Sequence, residues 1–243
     1  MSAAAPKTVL GRPRMHLRVT DSTNARARAL AVAGAPHGTL VTAAEQTAGR
    51  GRQGRSWSAP AGRSLLCSLI VRRPAELLSL AAGVAVAEVA AEIAGDAGAV
   101  AIKWPNDVLL AGRKLAGILV EGRPQDDWAV IGIGVNVALN PAELPPEVRS
   151  VAATLGLGTD AIEPVLARVL DGLERWLIAP PAEVLDAVRR RDALRGHPVW
   201  WAGGEGAARG IDERGRLLVE TGHGTSALDA GEVHLLGAAA PSR

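Results

Sequence analysis

A chain of 243 residues, 48% hydrophobic and 21% charged, can bury roughly 70 to 75% of its unfolded surface and form one large domain with a small appended one. Its longest uncharged apolar run, Leu77 to Ala87, falls well short of the roughly 20 residues a membrane helix needs, and a single cysteine, Cys67, excludes an internal disulfide or a cysteine-rich zinc site. The net charge of +2, from 27 bases against 25 acids, predicts no general affinity for polyanions.

Met1 to Pro6 carries no base ahead of an apolar core, so no signal peptide is expected and the cytoplasm is the expected compartment. Residues 1–13 read as a flexible arm. Arg14 to Val19 alternates like a strand, and Asp21-Ser22-Thr23-Asn24 offers N-caps for an alanine-rich helix ending near Gly34. Strands are predicted over Thr39 to Ala44 and Ser64 to Val71, with a glycine-arginine loop between them. A helix follows from Ala75 to Ala94, then strands over Val100 to Lys103 and Asp107 to Leu110, and a hairpin turn at Ala111-Gly112-Arg113. Lys114 to Glu121 and Trp128 to Val137 read as strands buried on both faces.

Helices covering this mixed sheet are predicted over Asp160 to Leu177, capped by Asp160, and over Ala182 to Leu194. Short β-like pieces then follow at Pro198 to Ala202, Ala207 to Ile211, Arg216 to Glu220 and Glu232 to Leu236, which predict a small β-barrel. The expected organisation is an α/β (α+β) catalytic unit over 14–194, a small barrel over 195–237 and a tail over 238–243.

Between Gln46 and Ala75 stand six arginines and no acid, three of them in Gly49-Arg50-Gly51-Arg52-Gln53-Gly54-Arg55. The glycines remove side-chain bulk and let backbone amides and guanidinium forks close on phosphate or carboxylate oxygens. The segment also matches the dinucleotide fingerprint G-x-G-x-x-G, but Ser56-Trp57-Ser58-Ala59-Pro60 and a strand follow it where that fingerprint requires a helix. Lys103-Trp104-Pro105-Asn106-Asp107 sets an amide and a carboxylate after a strand, with Pro105 expected to hold the chain extended. Lys114 leads an apolar strand in which Gly117 admits a close approach, and Asn136 is an amide in another apolar strand that needs partners. The five histidines show no metal spacing and carry no assigned role, and Cys67 reads as a small buried residue.

Together, Ser22-Thr23-Asn24, Glu45 through Trp57, Lys103 through Val108, Lys114 through Glu121 and Gly132-Ile133-Gly134-Val135-Asn136 occur in the order and spacing of the biotin protein ligases, which this chain resembles over about residues 14–140. Arg209 through Glu220 more weakly resembles their C-terminal SH3-like domain. The resemblance implies a mixed sheet of the class II aminoacyl-tRNA-synthetase-like biotinyl/lipoyl ligase type. It also implies a two-step reaction: biotin and MgATP give biotinyl-5′-adenylate and pyrophosphate, and a lysine of a biotin carboxyl carrier protein or domain then takes the biotinyl group. The carrier would belong to an acyl-CoA or pyruvate carboxylase.

Carried over residue by residue, Ser22, Thr23, Asn24, Gln46, Gly49, Arg50, Gly51, Arg52, Lys114 and Gly117 would bind biotin. Arg52, Arg55, Trp57, Asn106, Lys114 and Asn136 would meet the nucleotide, with Trp57 against adenine. Arg50, Arg52 and Lys114 would hold the reacting carboxylate and α-phosphate, and Asp107 would orient the acceptor lysine or a Mg²⁺ ion. The loop carries Gln53 where many relatives have another arginine, and activity is expected to survive. Only 20 residues precede Asp21, too few for the DNA-binding domain of some relatives, so neither a repressor role nor a DNA partner is expected. No membrane partner is expected, and the oligomeric state stays open between monomer and homodimer. Trp200 and Trp201 are expected in the core of the small barrel. A lipoate or octanoate ligase is the nearest rival, against which the arginine loop argues; a nucleic-acid-binding module is the rival from another class, against which the lack of interleaved aromatics argues.

Overall fold

In the computed structural model, residues 10–122, 125–144 and 146–236 are described. β1 (Arg14–Thr20) leads into α1 (Thr23–Val32), and β2 (Leu40–Gln46) returns parallel to β1. The Ser22 hydroxyl caps α1, accepting from the Ala25 N–H at 3.4 Å. β3 (Ser64–Arg72), α2 (Leu78–Ala94), the hairpin β4 (Val100–Lys103) and β5 (Asp107–Leu110), β6 (Arg113–Gly122) and β7 (Trp128–Asn136) complete a seven-stranded sheet in the order β1-β2-β3-β7-β6-β5-β4. Every pairing after β1–β2 is antiparallel.

The sheet separates two kinds of surface. Leu65, Cys67, Leu69 and Val71 of β3 and Ala129, Ile131, Ile133 and Val135 of β7 join the main core with α2, the period-two pattern of a strand with one face against helices. α4 (Ile162–Trp176) and α5 (Pro181–Arg189) complete that helical layer, after the short α3 (Pro146–Arg149). α2 is rich in small residues and approaches α4 closely: a Cβ on Gly172 would lie 3.2 Å from the Ala85 Cβ. On the other face, α1 covers only part of the sheet through Ala27 and Ala31, which meet Val41, Ile70 and Val130. The uncovered remainder of that face holds the site.

A second, five-stranded antiparallel sheet of β8 (Pro198–Trp201), β9 (Gly204–Ile211), β10 (Leu217–Thr221), β11 (Gly224–Leu228) and β12 (His234–Leu235) has the order β11-β10-β9-β8-β12. It stands where the sequence predicts a small barrel, and its edge strands are not bonded to each other. Val199, Ala208, Ile211, Leu217, Val219 and Val233 share one core with α2, and the Trp104 indole N–H donates to the Gly215 carbonyl at 2.9 Å.

Several expectations are corrected. α2 begins at Leu78 rather than Ala75, because Leu77 is left-handed (φ 64°) and its side chain packs over Gly215 of the second sheet. Asp160 lies in a 3₁₀ turn, and α4 starts after Ala161 with no side-chain cap. α5 stops at Arg189 because residues 191–193 swing onto the free edge of β4: the Ile102 N–H donates to the Arg191 carbonyl and the Ala193 N–H to the Ile102 carbonyl. β11 was not foreseen. Trp200 and Trp201 are half-buried: Trp201 packs against the main core, whereas Trp200 stacks on His234 at 4.2 Å between ring centroids.

The arm expected to be flexible through residue 13 is anchored from Leu10 onward, since Leu10 is buried and the Gly11 N–H donates to the Gly38 carbonyl. Its first nine residues, and the expected tail over 238–243, lie outside the described residues. No described helix is long and apolar enough to cross a membrane.

Candidate active site

After β2 the chain turns back on itself. The Thr47 and Ala48 N–H groups donate to the Thr20 and Asp21 carbonyls. The Trp57 N–H then donates to the Gly49 carbonyl, and the Gly51 N–H to the Arg55 carbonyl. Gln53 (φ 54°) and Gly54 (φ 76°) supply the left-handed turn at the tip. Gly49 is required because a Cβ there would lie 2.3 Å from the Trp57 carbonyl oxygen. Arg52–Gly54 form a 3₁₀ turn within the loop and β3 follows, with no α-helix after the loop, which removes the dinucleotide-fingerprint reading.

The loop lies over a pocket between the start of α1, the end of β2 and the open face of β6 and β7. Ser22, Thr23, Asn24, Gln46, Arg50, Gly51, Arg52, Arg55, Trp57, Asn106, Lys114 and Gly117 all line it, so most of the residues singled out in sequence converge. The floor is made by glycines. Gly117 on β6 stands opposite Gly134 on β7, and Cβ atoms there would fall 3.1 Å and 2.6 Å from the Trp57 ring. The indole lies on this flat patch, with its N–H buried and without a hydrogen-bond partner. Lys114 Nζ stands 5.7 Å from the ring centroid, within cation–π range.

One wall, lined by Thr23, Asn24 and Gln46, is part of a row of oxygens completed beneath the surface by Ser68. Gln46 Oε1 accepts from the Thr23 N–H at 2.7 Å and lies 3.0 Å from Thr23 Oγ1, which is 2.8 Å from Ser68 Oγ, which is 2.6 Å from Asn24 Oδ1. The amide orientations are fixed, because Asn24 Nδ2 donates to Glu121 Oε2 at 2.8 Å and Gln46 Oε1 takes a backbone N–H. Three oxygen–oxygen contacts therefore share two hydroxyl hydrogens. The row is one hydrogen short, and it favours a ligand that brings an N–H.

The opposite end is cationic. Arg52 Nη1 donates to Asn106 Oδ1 at 3.3 Å. Lys114 Nζ is 2.8 Å from Asp107 Oδ1 but out of line for a hydrogen bond, so that buried oxygen keeps a charge contact without a bonded partner. Burial lowers the pKa of Arg52, with Asp107 opposing. Burial likewise lowers that of Lys103, again opposed by Asp107. Both cations thus sit where an added anion offsets the burial penalty. A second cleft joins this end, walled by Lys103, Asp107, Arg55 and the segment Gly231-Glu232-Val233 that leads into β12.

Four expectations read differently in the structure. Asp107 lies in that adjoining cleft beside Lys114 rather than in the pocket. Asn136 is buried away from the pocket, with Nδ2 donating to the Ala153 carbonyl at 2.9 Å. Gly49 serves the loop's own turn. Pro105 does not hold the chain extended: it sits after a cis peptide in the tight turn from β4 to β5, where the Asn106 N–H donates to the Lys103 carbonyl. The arginine patch also divides, since Arg72 donates to the Ala31 and Ala35 carbonyls at the end of α1. Cys67 is buried and its thiol is pushed up to about 12 by burial, which leaves it inert.

Sequence reasoning missed Ser68 and Glu232 as site residues, and quoted Glu121, Gly132 and Gly134 only as members of strand motifs without giving them a role. The Gly-x-Gly alternation in β7 was the available signal, because a period of two puts both glycines on one face. A Cβ on Gly132 would lie 2.1 Å from Asn24 Oδ1.

A loop-covered pocket with a donor-seeking wall at one end and clustered cations at the other defines a site for an anionic ligand that carries hydrogen-bond donors at its far end. Residues 16–137 match the model of the biotin/lipoate A/B protein ligase family, and residues 204–236 match that of the biotin protein ligase C terminal domain. The chain is 40% identical over 231 residues to the biotin–[acetyl-CoA-carboxylase] ligase of Mycobacterium tuberculosis, covering 88% of this chain and 85% of that protein. It is 37% identical over 240 residues to the ligase of the same name from Paracoccus denitrificans, covering 88% and 97%. The biotin protein ligase from Aquifex aeolicus in complex with biotin and ATP superposes with a TM-score of 0.75 at 29% identity, over 92% of this chain and 98% of that one. The chain belongs to the biotin/lipoate A/B protein ligase family, and its second sheet places it with the biotin protein ligases.

Proposed function

We propose that this chain is an ATP-dependent biotin protein ligase. Biotin's carboxylate displaces pyrophosphate from ATP to give biotinyl-5′-adenylate, and a carrier lysine then attacks the acyl carbon and releases AMP. The observation that carries the choice of acid is the hydrogen-poor oxygen row at Gln46, Thr23, Ser68 and Asn24. A cyclic urea brings N–H donors to that row, whereas a dithiolane ring or an alkyl chain brings none, and leaving such a row unpaired costs about 1–3 kcal/mol.

Ser22, Thr23 and Gln46 hold the ureido end. Gly117 and Gly134 make the flat floor that the Trp57 indole now occupies, so the ring and chain of biotin enter against that indole or by displacing it. Arg50, Arg52 and Lys114 gather the carboxylate and the α-phosphate, so that attack occurs within a charge-complementary frame. Arg55, Trp57 and Asn106 meet the nucleotide. The loop shields the mixed anhydride from water. No three His, Cys, Asp or Glu side chains gather at a metal site among the described residues. Asp107, with its unbonded oxygen, fits a magnesium ion that arrives with the nucleotide and needs only one or two carboxylates besides phosphate oxygens. When bound, such an ion neutralises phosphate charge; Asp107 otherwise stands ready to orient the incoming lysine.

The acceptor in this reading is a biotin-carrier domain of a carboxylase, and the reaction takes place in the cytoplasm. The test is pyrophosphate release from MgATP with biotin, lipoate and octanoate offered separately, followed by mass gain on a carrier-domain lysine. Release with biotin alone and subsequent transfer are expected; release with lipoate or octanoate instead would overturn the assignment of the acid.

A further inference from the structure

The segment leading into β12 is tied to the loop by one side chain. Arg55 Nη1 lies 2.5 Å from Glu232 Oε1, and among the described residues this is the only ion pair that ties the glycine-arginine loop to that segment. The same oxygen has a second suitor, since His234 Nε2 lies 3.4 Å from Glu232 Oε1. His234 is fixed in place: it pairs with Trp200 across β8 and β12 and stacks on that indole with 17° between the ring planes. Val233 between them is buried, which pins the segment.

We propose that Glu232 is a positioning residue that holds Arg55, and with it the loop, across the pocket, and that His234 draws the carboxylate away when its ring takes up a proton. The proposal rests on the reading under Proposed function, in which loop closure retains the adenylate. The charged groups facing His234 are Glu232 beside it, Lys103 on β4 and Arg55 on the loop. Burial holds the imidazole below its ordinary value, Glu232 opposes this, and Lys103 and Arg55 add to it. At neutral pH the ring is therefore uncharged and Glu232 belongs to Arg55. On acidification an imidazolium beside the same oxygen competes for it. Arg55 is about half exposed, so the pair adds little to global stability. Its effect falls on where the loop rests.

The test uses the full chain loaded with biotin and MgATP, and reads the rate at which biotinyl-adenylate escapes into solution. Glu232→Gln is expected to raise escape about two- to fivefold, the loss of one partly exposed ion pair, with an unchanged thermal midpoint. Arg55→Lys should fall between wild type and Arg55→Ala, and the double variant Arg55→Ala/Glu232→Gln should be no faster than Arg55→Ala alone. Wild-type escape should rise as pH falls below the ordinary imidazole value of 6.5, since burial holds His234 lower still, and His234→Gln should abolish that rise. Wild-type escape from Glu232→Gln, additive effects in the double variant, or an acid rise that survives His234→Gln would each overturn the proposal.

A wild type that forms no adenylate would sink the functional reading instead. The contact is then read from the His234 ring resonance, whose titration should move down in Glu232→Gln and up in Arg55→Ala. No movement in either would overturn the shared-carboxylate geometry.

Discussion

Asn24 shows how much one side chain in this site does. Its carbonyl accepts from Ser68, its amide donates to Glu121, and Gly132 leaves the space it fills. The residue is only 3% exposed and cannot step aside. Gly132→Ala should therefore break the oxygen row, at a cost of about 1–3 kcal/mol in stability, and raise the KM for biotin by about tenfold or more; chemical denaturation and biotin-dependent pyrophosphate release check the two parts. Arg52 acts on the other end of the substrate. Arg52→Ala should slow adenylate formation by about 10² or more, because a donor aimed at developing charge is lost, while the unfolding midpoint stays near wild type; single-turnover kinetics reads this directly. At this scale the sequence was legible where neighbours in the chain share a task, as in Ser22-Thr23-Asn24 and the loop arginines. It gave no role to Ser68 or Glu121, whose partners stand 44 and 97 residues away.

Among the elements, strands were read more faithfully than helix ends. β3 and β7 are near-continuous apolar runs buried on both faces, which nothing nearby contradicts. The ends of α2 and α5 are set instead by distant packing: Leu77 against the second sheet, and residues 191–193 along β4. That second junction buries Asp192. One of its oxygens accepts the Leu194 N–H, while the other is buried without a partner. Burial raises its pKa above the ordinary 3.8, against the pull of the Leu194 and Arg195 amides. The folded state then binds this proton more tightly than the unfolded one, so stability is lost as pH rises from the unfolded value through the folded one. Asp192→Asn should raise the unfolding midpoint by about 2–4 °C at neutral to alkaline pH. The difference should vanish by about pH 3, where the carboxyl is neutral in both states; thermal scans across pH test this.

Taken whole, the molecule has one principal core that runs from the seven-stranded sheet through α2 into the second sheet. The change of sequence texture after Gly196 suggested a separable small domain, but texture cannot report that Trp104 and Leu77 are completed by Gly215. We expect the two sheets to unfold in a single calorimetric transition, with calorimetric and van't Hoff enthalpies in agreement. Two resolved transitions would show that the shared core does not couple them. The chain also contains six tryptophans and no tyrosine or phenylalanine, so its near-ultraviolet emission comes from indole alone. Among those six, Trp57 lies on the glycine floor of the pocket, where any occupant must slide against it or displace it. The protein thus has an optical reporter built into its own binding surface, and ligand entry can be followed by light in the unlabelled wild-type chain.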